Sequence, residues 1–414
     1  MARYVQKFGG TSVASADHIQ KVASIVAKAY HEGHQVVVVV SAMAGETDKL
    51  IALAKSYGPN PDGREYATLV STGEQITSAL TALALQAINI PAKSMTGYQA
   101  GIETNAIYKK ARIETIHSQA IESALKEGFV VVVAGFQGAD KDGNITTLGR
   151  GGSDTTAVAI AAAINADECQ IFTDVDGIYT CDPRVVKNAR RLEEISFEEM
   201  LELASLGAKV LQIRSVEFAG KYKVPLRVLS SKEAGPGTLI SMAQREKMES
   251  PSVTGIAYSR HEAKITLSGL PSEKSAVATV LSKLAEQGVN TDTLLQHPTS
   301  DTEMDFIFTV HQDEYGPSMA LLQSMQSELG LSRISSIENL AKVSVVGAGL
   351  KSHPEIAPQL FRTLDQLGIN LQMITTSELK ITVVIDNRFV DQAIVALHDV
   401  FNLAIIRDES KEVV

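Results

Sequence analysis

The fold of this chain is set in residues 4–12, Tyr4-Val-Gln-Lys7-Phe-Gly9-Gly10-Thr-Ser12, where a short apolar strand runs directly into paired glycines. Because glycine lacks a Cβ, the backbone N–H groups of Gly9 and Gly10 can converge on one anion. Lys7 stands beside them, where an ammonium can neutralise phosphate oxygens. The stretch matches neither GxGxxG nor GxxxxGK[ST], so it predicts neither a Rossmann dinucleotide site nor a P-loop. A tight turn with an exposed lysine remains the alternative interpretation.

Short apolar runs rich in Val and Ile alternate with helix-period segments along the first half of the chain. In the segment 17–31, Ile19, Val22 and Val26 form one apolar stripe, and 153–164 is an Ala-rich helix that follows glycines. The alternation predicts an α/β fold, with a largely parallel sheet covered by helices on both faces. Together with Tyr4–Phe8, the predicted buried strands are Val36–Val40, Phe129–Ala134, Gln170–Thr173 and Leu226–Leu229.

Composition limits the classes of partner. The 414 residues contain 38 Lys and Arg against 48 Asp and Glu, a net charge of -10, so no general affinity for nucleic acid or acidic membranes is expected. The longest apolar runs are far below the roughly 20 residues that span a bilayer, and the amino terminus lacks the apolar core of a secretory signal. Two cysteines are too few for a disulfide framework or a zinc site. A cytoplasmic protein is therefore predicted.

The second half of the chain repeats itself. The sequences at 264–267 and 288–290 are echoed at 342–345 and 368–370, an offset of 370 − 290 = 80 residues. Each repeat has the pattern strand, helix, strand, strand, helix, strand, which predicts two ferredoxin-like βαββαβ modules. The predicted organisation is a first domain over 1–230, a linker with connecting strands over 231–260, and modules over 261–338 and 339–414.

A second glycine-rich cluster, Gly149-Arg-Gly-Gly-Ser-Asp154, opens the Ala-rich helix. Free N–H donors and the positive end of the helix dipole favour an anion there, and a planar guanidinium at Arg150 suits a carboxylate. Asp154 is interpreted either as a first-turn acid favoured by the dipole or as the carboxylate that orients Lys7. A plain turn at this helix entry remains open.

Polar residues also follow other predicted strands. The stretch Thr173-Asp-Val-Asp-Gly-Ile-Tyr-Thr-Cys-Asp-Pro-Arg184 comes after a buried strand, where open α/β sheets place ligand-binding loops. It fails as a calcium loop, because Phe172 stands where the first acidic ligand belongs. Ser41 follows a strand, Thr47 is expected in a loop and Glu74 in a helix entry, and each alone is more often a cap than a ligand. The histidines show no metal-binding spacing, so no protein metal site is predicted.

Taken in order, these stretches closely resemble the aspartokinase family of the amino-acid kinase superfamily. The resemblance covers essentially the whole chain, and the two repeats resemble the ACT domains that bind amino-acid effectors in that family. It rests on Lys7-Phe-Gly-Gly-Thr-Ser12, Ser41-Ala42, Thr72-Gly-Glu74, Gly149-Arg-Gly-Gly-Ser-Asp154 and Thr173 to Arg184. The implied fold is an amino-acid kinase fold followed by two βαββαβ ACT modules.

The resemblance also implies roles for individual residues. Lys7 and Asp154 would be catalytic. Aspartate would be bound by Ser41, Thr47, Glu74, Arg150, Gly151, Gly152 and Ser153. ATP would be bound by Lys7, Phe8, Gly9, Gly10, Thr173, Asp174, Tyr179, Asp182, Arg184 and Lys209, the last from Gly207-Ala-Lys209.

The implied activity is transfer of the ATP γ-phosphate to the side-chain carboxylate of L-aspartate, giving 4-phospho-L-aspartate on the route to lysine, threonine and methionine. A carboxylate with a reference pKa near 4 is already ionised at pH 7, so no general base is needed. Mg²⁺ would be held mainly by the nucleotide phosphates and water. A kinase for glutamate or another carboxylate, and an inactive kinase domain that senses amino acids, are the alternative functions.

The implied effector pocket departs from the family pattern. Pro271–Ser275 replaces an Asp-x-Pro-Gly-like turn, and Glu355 stands where the family more often has glycine. Lysine or threonine, or both, are expected as effectors. The candidate residues are Ser272, Asn290, Asp292, Gln296, Glu355, Thr376, Ser377 and Glu378. The exposed edges of βαββαβ sheets predict a homo-oligomer, and a shorter subunit that starts internally, at Met242 or Met248, is a further candidate partner.

Overall fold

The computed structural model describes residues 1–206, 210–242, 252–272 and 274–404. They form two compact units, each discontinuous in sequence. Unit 1 holds the described residues of 1–179, 191–205 and 210–242, and unit 2 holds those of 180–190, 206 and 252–404. In the described part of the chain, no helix has the length and apolar character needed to cross a membrane.

The described part of unit 1 contains an eight-stranded main sheet with helices packed against it, as the alternating sequence pattern predicts, and a separate four-stranded sheet. Its strands are β1 (Arg3–Phe8), β2 (Gln35–Val40), β3 (Ala92–Met95), β4 (Ile102–Thr104), β5 (Ile113–Ile116), β6 (Val130–Ala134), β7 (Gln137–Ala139), β8 (Ile145–Thr147), β9 (Glu168–Thr173), β10 (Glu194–Ser196), β11 (Leu226–Ser230) and β12 (Thr238–Ser241). Its helices are α1 (Ala16–His31), α2 (Glu46–Lys55), α3 (Gly63–Val70), α4 (Thr72–Ala87), α5 (Gln119–Lys126), α6 (Gly152–Ala163), α7 (Phe197–Ser205) and α8 (Ile213–Tyr222).

The strand order of the main sheet is β10-β12-β11-β9-β1-β2-β6-β3, and every pair is parallel except β11 with β12. Val36 to Val40 and the whole of β6 are buried, which explains why these strands are continuous apolar runs rather than alternating ones. The five predicted strands are all confirmed. Since β1 lies between β9 and β2, its carboxyl end is central in the sheet.

Helix α1 shows how the sequence sets an element around this sheet. Ser15 caps its start by accepting a hydrogen bond from the His18 N–H, and Asp17 adds a favourable charge in the first turn. The stripe of Ile19, Val22 and Val26 is buried in the core shared with β2 and β6. The helix ends where Gly33 takes a positive φ of 84°, a conformation that favours glycine.

Unit 2 contains a six-stranded sheet of order β14-β15-β13-β16-β18-β17. Its elements are β13 (Ser252–Pro271), α9 (Lys274–Glu286), β14 (Asp292–Pro298), β15 (Glu303–His311), α10 (Gln312–Met325), β16 (Arg333–Ala348), α11 (Ile356–Gln366), β17 (Met373–Thr376), β18 (Lys380–Asp386) and α12 (Val390–Val400). The first module matches its predicted pattern of strand, helix, strand, strand, helix, strand.

The second module is completed from a different part of the chain than its repeat pattern predicts. Residues 252–260 of β13 pair antiparallel with 341–348 of β16, beside the first strand of that module. This is the place of the last strand of a βαββαβ unit, so the first module is inserted within the second. After α12, the described residues contribute one isolated bridge, Ala404 to Ala189. The strand expected after α12 would extend beyond Ala404 and so lies outside the described residues, whereas 252–260, predicted to belong to the region before the modules, pairs with β16.

A cluster of charged side chains joins the two modules within unit 2, with Lys342 and Glu262 buried and Asp292 68% exposed. Lys342 in β16 is only 3% exposed and lies 3.0 Å from Glu262 and 2.5 Å from Asp292. Ser259 donates a hydrogen bond to Glu262 at 2.7 Å. Charges are expensive to bury unless they are paired and hydrogen-bonded, so these contacts offset each other's desolvation and fix the relative register of the strands that carry them.

The segment 180–190 also belongs to unit 2, although it continues a loop of unit 1. Thr180 accepts a backbone hydrogen bond from Ile256 at 2.7 Å, and its hydroxyl lies 3.1 Å from the carbonyl oxygen of Leu403. A Cβ on Gly255 would lie 2.7 Å from the Thr180 oxygen, so glycine is required for this approach. The segment is therefore an integral part of the second unit.

Candidate active site

The site in unit 1 is centred on an ion pair between the end of β1 and the start of α6. Lys7 Nζ lies 2.6 Å from Asp154 Oδ1, and the two side chains are 12% and 10% exposed. Residue 154 is in the first turn of α6, where the helix dipole favours a carboxylate. The pair fixes an ammonium group at the carboxyl end of the central strand, beside the paired glycines.

Three loops converge at Ala42, directly after β2. A Cβ on Gly10 would lie 2.9 Å from the Ala42 oxygen, and a Cβ on Gly73 would lie 2.8 Å from the Ala42 Cβ. Ser41 donates its backbone N–H to the Phe8 oxygen at 3.1 Å. Only glycine permits these approaches without displacement of the backbone, so the glycines bring the β1 loop, the β2 loop and the start of α4 together.

Glu74 projects into this convergence from the first turn of α4. Its Oε1 accepts a hydrogen bond from the Ala42 N–H at 3.1 Å, and its Oε2 is buried with no hydrogen-bond partner among the described residues. Burial raises the pKa of Glu74 to about 7, although the hydrogen bonds from its own backbone N–H and from Ala42 oppose that shift. A buried carboxylate with one free oxygen is suited to accept from a cationic group.

The glycine-rich loop before α6 forms the other side. Gly149 and Gly151 have φ values of 78° and 70°, which favour glycine. A Cβ on Gly151 would lie 2.2 Å from the Gln212 side chain, so this loop packs tightly against the segment that precedes α8. Gly152 and Ser153 are buried at the start of the helix, whereas the Arg150 side chain is exposed and available to an anion.

Two residues predicted here are placed differently from expectation. Thr47 lies in the first turn of α2, not in a loop, because Gly45 with a positive φ of 77° starts that helix directly before it. Phe8 is completely buried and stacks on Phe172 with ring centroids 4.6 Å apart. Its side chain therefore packs the core beneath the loop, and only its backbone borders the site.

The carboxyl end of β9 borders the site on the opposite side of β1. The Thr173 hydroxyl donates to Asp174 at 3.1 Å, and the Tyr179 hydroxyl donates to Asp176 at 2.9 Å. Ser231 links this edge to the first loop, because its hydroxyl donates to the Thr173 oxygen at 3.1 Å and accepts from Ser12 at 2.9 Å.

Ser231 belongs to none of the predicted motifs, and Ala42, although part of the Ser41-Ala42 motif, has no predicted role. The available signal was position, since both directly follow strands whose carboxyl ends meet at one edge of the sheet.

Two further predicted nucleotide residues are described in unit 2. Asp182 and Arg184 belong to unit 2, where the Arg184 guanidinium binds the Asp182 carboxylate at 2.7 Å and the Tyr258 hydroxyl donates to it at 3.2 Å. The side-chain hydrogen bonds from Arg184 lower the pKa of Asp182. Lys209 lies outside the described residues.

The candidate effector residues lie in unit 2 and fall into two groups. In the first module, Asn290 binds Glu314 through its backbone and side chain, and Asp292 binds Lys342. Burial opposes ionisation of Asp292, but the hydrogen bond and charge of Lys342 lower its pKa overall. Ser272 and Gln296 are exposed.

In the second module, Ser377 accepts hydrogen bonds from the backbone N–H groups of Leu379 and Lys380. Two carboxylates form local ion pairs, Glu355 with His353 and Glu378 with Lys351. Thr376 is exposed.

No group of three or more His, Cys, Asp or Glu side chains in the described ranges is arranged to hold a metal ion.

Comparison with known proteins identifies the family. A model of the amino acid kinase family matches residues 2–230, and a model of the ACT domain matches residues 343–401. The aspartate kinase of Stutzerimonas stutzeri is 53% identical over 403 residues, which is 97% of this chain and 98% of that protein.

Two crystal structures of Escherichia coli aspartokinase III are similar along the whole chain. The complex with aspartate and ADP in the R-state has a TM-score of 0.78 and 28% identity, covering 96% of this chain and 99% of that one. The complex with lysine and aspartate in the T-state has a TM-score of 0.76 and 29% identity, covering 97% and 99%. The chain therefore belongs to the aspartate kinase family and is an enzyme that transfers a phosphoryl group from ATP to the side-chain carboxylate of aspartate.

Proposed function

We propose that the cluster around Lys7, Glu74 and Arg150 is the aspartate kinase site, and the observation that carries this proposal is the 2.6 Å ion pair between Lys7 and Asp154 beside the paired glycines. Lys7 offsets the negative charge of the transferring phosphoryl group. Asp154 holds the Lys7 ammonium in place and is the second catalytic residue. The backbone N–H groups of Gly9 and Gly10 face the phosphates.

The substrate aspartate is held at both of its charged backbone groups. Oε2 of Glu74, which has no hydrogen-bond partner among the described residues, accepts from the α-ammonium. The exposed guanidinium of Arg150 pairs with the α-carboxylate, assisted by the backbone of Gly151 and Gly152. Ser41, Thr47 and Ser153 add hydroxyl contacts. With both ends fixed, the side-chain carboxylate is directed toward Lys7, so alignment replaces general-base catalysis.

Transfer then requires no proton movement. An oxygen of the ionised side-chain carboxylate forms a bond to the γ-phosphorus, while the bond from that phosphorus to the bridging oxygen of ADP breaks. Lys7 stays paired with Asp154 and stabilises the oxygens that carry the shifting charge. On the nucleotide side we assign Thr173, Asp174 and Tyr179, with Asp182, Arg184 and Lys209 as further proposed contacts.

We propose that Mg²⁺ is held by the nucleotide phosphates and water rather than by a protein cage. Mg²⁺ dehydrates reluctantly, so in kinase sites it keeps several waters and binds largely through the substrate phosphates. The ion would add charge neutralisation at the phosphate oxygens, the chemistry that phosphoryl transfer generally needs.

Regulation is assigned to unit 2. The ACT model matches its second module, and one similar structure, the E. coli enzyme in its T-state, contains lysine. We propose that lysine, alone or with threonine, binds between the modules near Asp292. Asp292 is paired with Lys342, so an effector ammonium would compete with, or add to, an internal lysine at the same carboxylate.

We also propose a cytoplasmic homo-oligomer, with a shorter subunit started at Met242 or Met248 as an additional form. Strands β14 and β17 are the edges of the unit 2 sheet. Helix α4 supports association of unit 1, because its exposed face carries Ile76, Leu80 and Leu83 at 50%, 39% and 60% exposure, while Thr77 and Thr81 are buried. An exposed face that is more apolar than the buried one is typical of an interface.

Replacing Lys7 with Ala should lower kcat about 100- to 1,000-fold, because one preorganised charge at the transferring group is lost. The assay is hydroxylamine trapping of the acyl phosphate with ATP and aspartate, with glutamate and N-acetylglutamate in parallel. Lys126→Ala, at the exposed end of α5, is the control and should keep normal activity. Near-normal activity of Lys7→Ala would refute its role, and product from glutamate but not aspartate would refute the substrate.

The KM for aspartate should fall about tenfold as pH rises from about 6 to about 8, because Glu74 with a pKa of about 7 pairs with the α-ammonium only when ionised. The KM is higher at low pH because the neutral carboxyl of Glu74, which cannot pair with the ammonium, dominates below the raised pKa. Initial rates for Glu74→Gln should give a higher KM that does not change over this range. Glu127→Gln, an exposed residue beyond α5, should keep the wild-type profile; a wild-type KM that is flat with pH contradicts the assignment.

Activity should decrease when lysine, or lysine with threonine, is added, and Asp292→Asn should raise the half-inhibitory concentration about tenfold, because it removes a charged partner of the effector ammonium. Titrations of each amino acid and of both together test this directly. Asp17→Asn in α1 serves as the control. Flat titrations of the wild-type enzyme would exclude this site as a regulator.

The chain should migrate as an oligomer, with a mass of at least twice 44.3 kDa by size-exclusion chromatography with light scattering. Leu80→Lys with Leu83→Lys should reduce that mass, because two charges per copy would be buried at a contact between α4 faces. Val395→Lys, an exposed substitution on α12, should leave it unchanged. A wild-type monomer contradicts the oligomer, and an unchanged mass of the double variant contradicts the role of α4.

A further inference from the structure

Arg214, in the first turn of α8, bridges two loops that approach the substrate side of the site. Its Nη1 donates to the Leu148 oxygen at 2.9 Å and its Nη2 donates to the Ala111 oxygen at 3.1 Å. A planar guanidinium presents donors in a fixed fork, so two carbonyls held by one guanidinium are fixed relative to each other. Lysine has a single flexible ammonium and does not reproduce that geometry.

The two carbonyls lie at the base of the loop that carries Arg150. Leu148 is buried and donates its N–H to the Phe136 oxygen at 2.9 Å, and Ala111 donates to the Thr147 oxygen at 2.8 Å. The residues after Leu148 are those of the glycine-rich loop, in which two glycines have positive φ. A glycine-rich backbone can adopt many φ and ψ angles, so the conformation of this loop depends on the contacts that fix its ends.

The same end of α8 contacts the loop a second time. Gln212, two residues before Arg214, packs so closely on Gly151 that a Cβ there would lie 2.2 Å from it. One short segment thus holds the loop on both sides of Arg150, at Leu148 by hydrogen bonding and at Gly151 by packing. Arg150 itself is exposed at the turn between these two contacts.

Placing a guanidinium at position 214 carries a desolvation penalty. Burial, and the neighbouring charge of Arg112, lower the pKa of Arg214 from its ordinary value. Packing alone would be served by an uncharged side chain of similar length, without that desolvation penalty. The presence of a charge-assisted fork at two carbonyls therefore indicates that their position matters more than the volume filled.

We propose that Arg214 is a positioning residue for aspartate recognition, which fixes the backbone at Leu148 so that Arg150 meets the α-carboxylate of the substrate. The inference rests on the proposed role of Arg150. Arg214 touches neither substrate nor nucleotide and acts only through the loop. Since a contact to the α-carboxylate is made equally before and during transfer, its loss raises KM and leaves kcat nearly unchanged.

The test compares aspartate with L-isoasparagine, in which an uncharged amide replaces the α-carboxylate. The KM for aspartate and the inhibition constant of isoasparagine against aspartate are measured for the wild type, Arg214→Ala, Arg214→Lys, Arg150→Ala and the double Ala variant. Arg227→Ala is the matched control, because Arg227 is also partly buried and donates to a backbone oxygen, that of Pro236 at 3.1 Å, on another strand.

Arg214→Ala should raise the KM for aspartate about tenfold, with kcat and the KM for ATP within about threefold and the isoasparagine constant nearly unchanged. The KM of Arg214→Lys for aspartate should lie between those of the wild type and Arg214→Ala. The double variant should have a KM no higher than that of Arg150→Ala, because Arg214 and Arg150 act on one contact. Arg227→Ala should leave both aspartate and isoasparagine binding unchanged. If Arg214→Ala does not fold, as judged by circular dichroism, Arg214→Lys carries the comparison.

An equal loss for aspartate and isoasparagine in the Arg214 variants would overturn the proposal, because it is the signature of a general packing role. A normal KM for aspartate in Arg214→Ala would also overturn it. If Arg150→Ala still binds aspartate more tightly than isoasparagine by the wild-type ratio, Arg150 does not bind the α-carboxylate, and the proposal for Arg214 fails with it. That result differs from a normal KM in Arg214→Ala, which refutes only the role of Arg214. Absence of acyl phosphate from the wild type would refute the function itself.

Discussion

The ion pair between Lys7 and Asp154 is the contact on which the organisation of the site depends. It joins the end of the central strand to the first turn of α6, so the glycine loop that follows the strand and the glycine loop that precedes the helix share one fixed point. A lysine at such a strand end would otherwise turn to solvent, since an ammonium is strongly hydrated. Burying it beside a carboxylate keeps positive charge at one place in a chain whose net charge is -10. Local charge, not overall charge, therefore determines what this protein binds.

The second unit also contains a buried lysine paired with acidic residues, and there the pairing links two modules. Two modules that share the long strands β13 and β16 have one continuous hydrogen-bonded sheet, and the buried Lys342 pairs with acidic residues of the other module. A change at Asp292 is therefore also a change at the central strand of the second module. Coupling between the modules follows from shared strands and a shared buried charge, and needs no separate signalling pathway.

The buried strands and the glycine-rich loops could be predicted from the sequence, and the features that could not be predicted share one cause. Fully buried parallel strands are continuous Val and Ile runs, so Val36–Val40 and its neighbours were predicted within one or two residues, and glycine pairs located the loops. What could not be predicted depends on contacts between distant segments. Examples are the strand 252–260 beside β16, the approach of Gly10 and Gly73 to Ala42, and the fork of Arg214. Thr47 was misplaced because a positive φ at Gly45 starts a helix as readily as it forms a loop.

The path of the chain through segment 180–190 restricts how this enzyme can be divided. The segment is encoded within the kinase half but forms its hydrogen bonds in the regulatory half, at Ile256 and Leu403. A chain that ends near 230 would keep the segment and lose its partners. A short subunit that starts at Met242 or Met248 would have the partners and lack the segment. The proposed short subunit would thus hold Ile256 and Leu403 without their partner segment unless a full-length chain supplied residues 180–190.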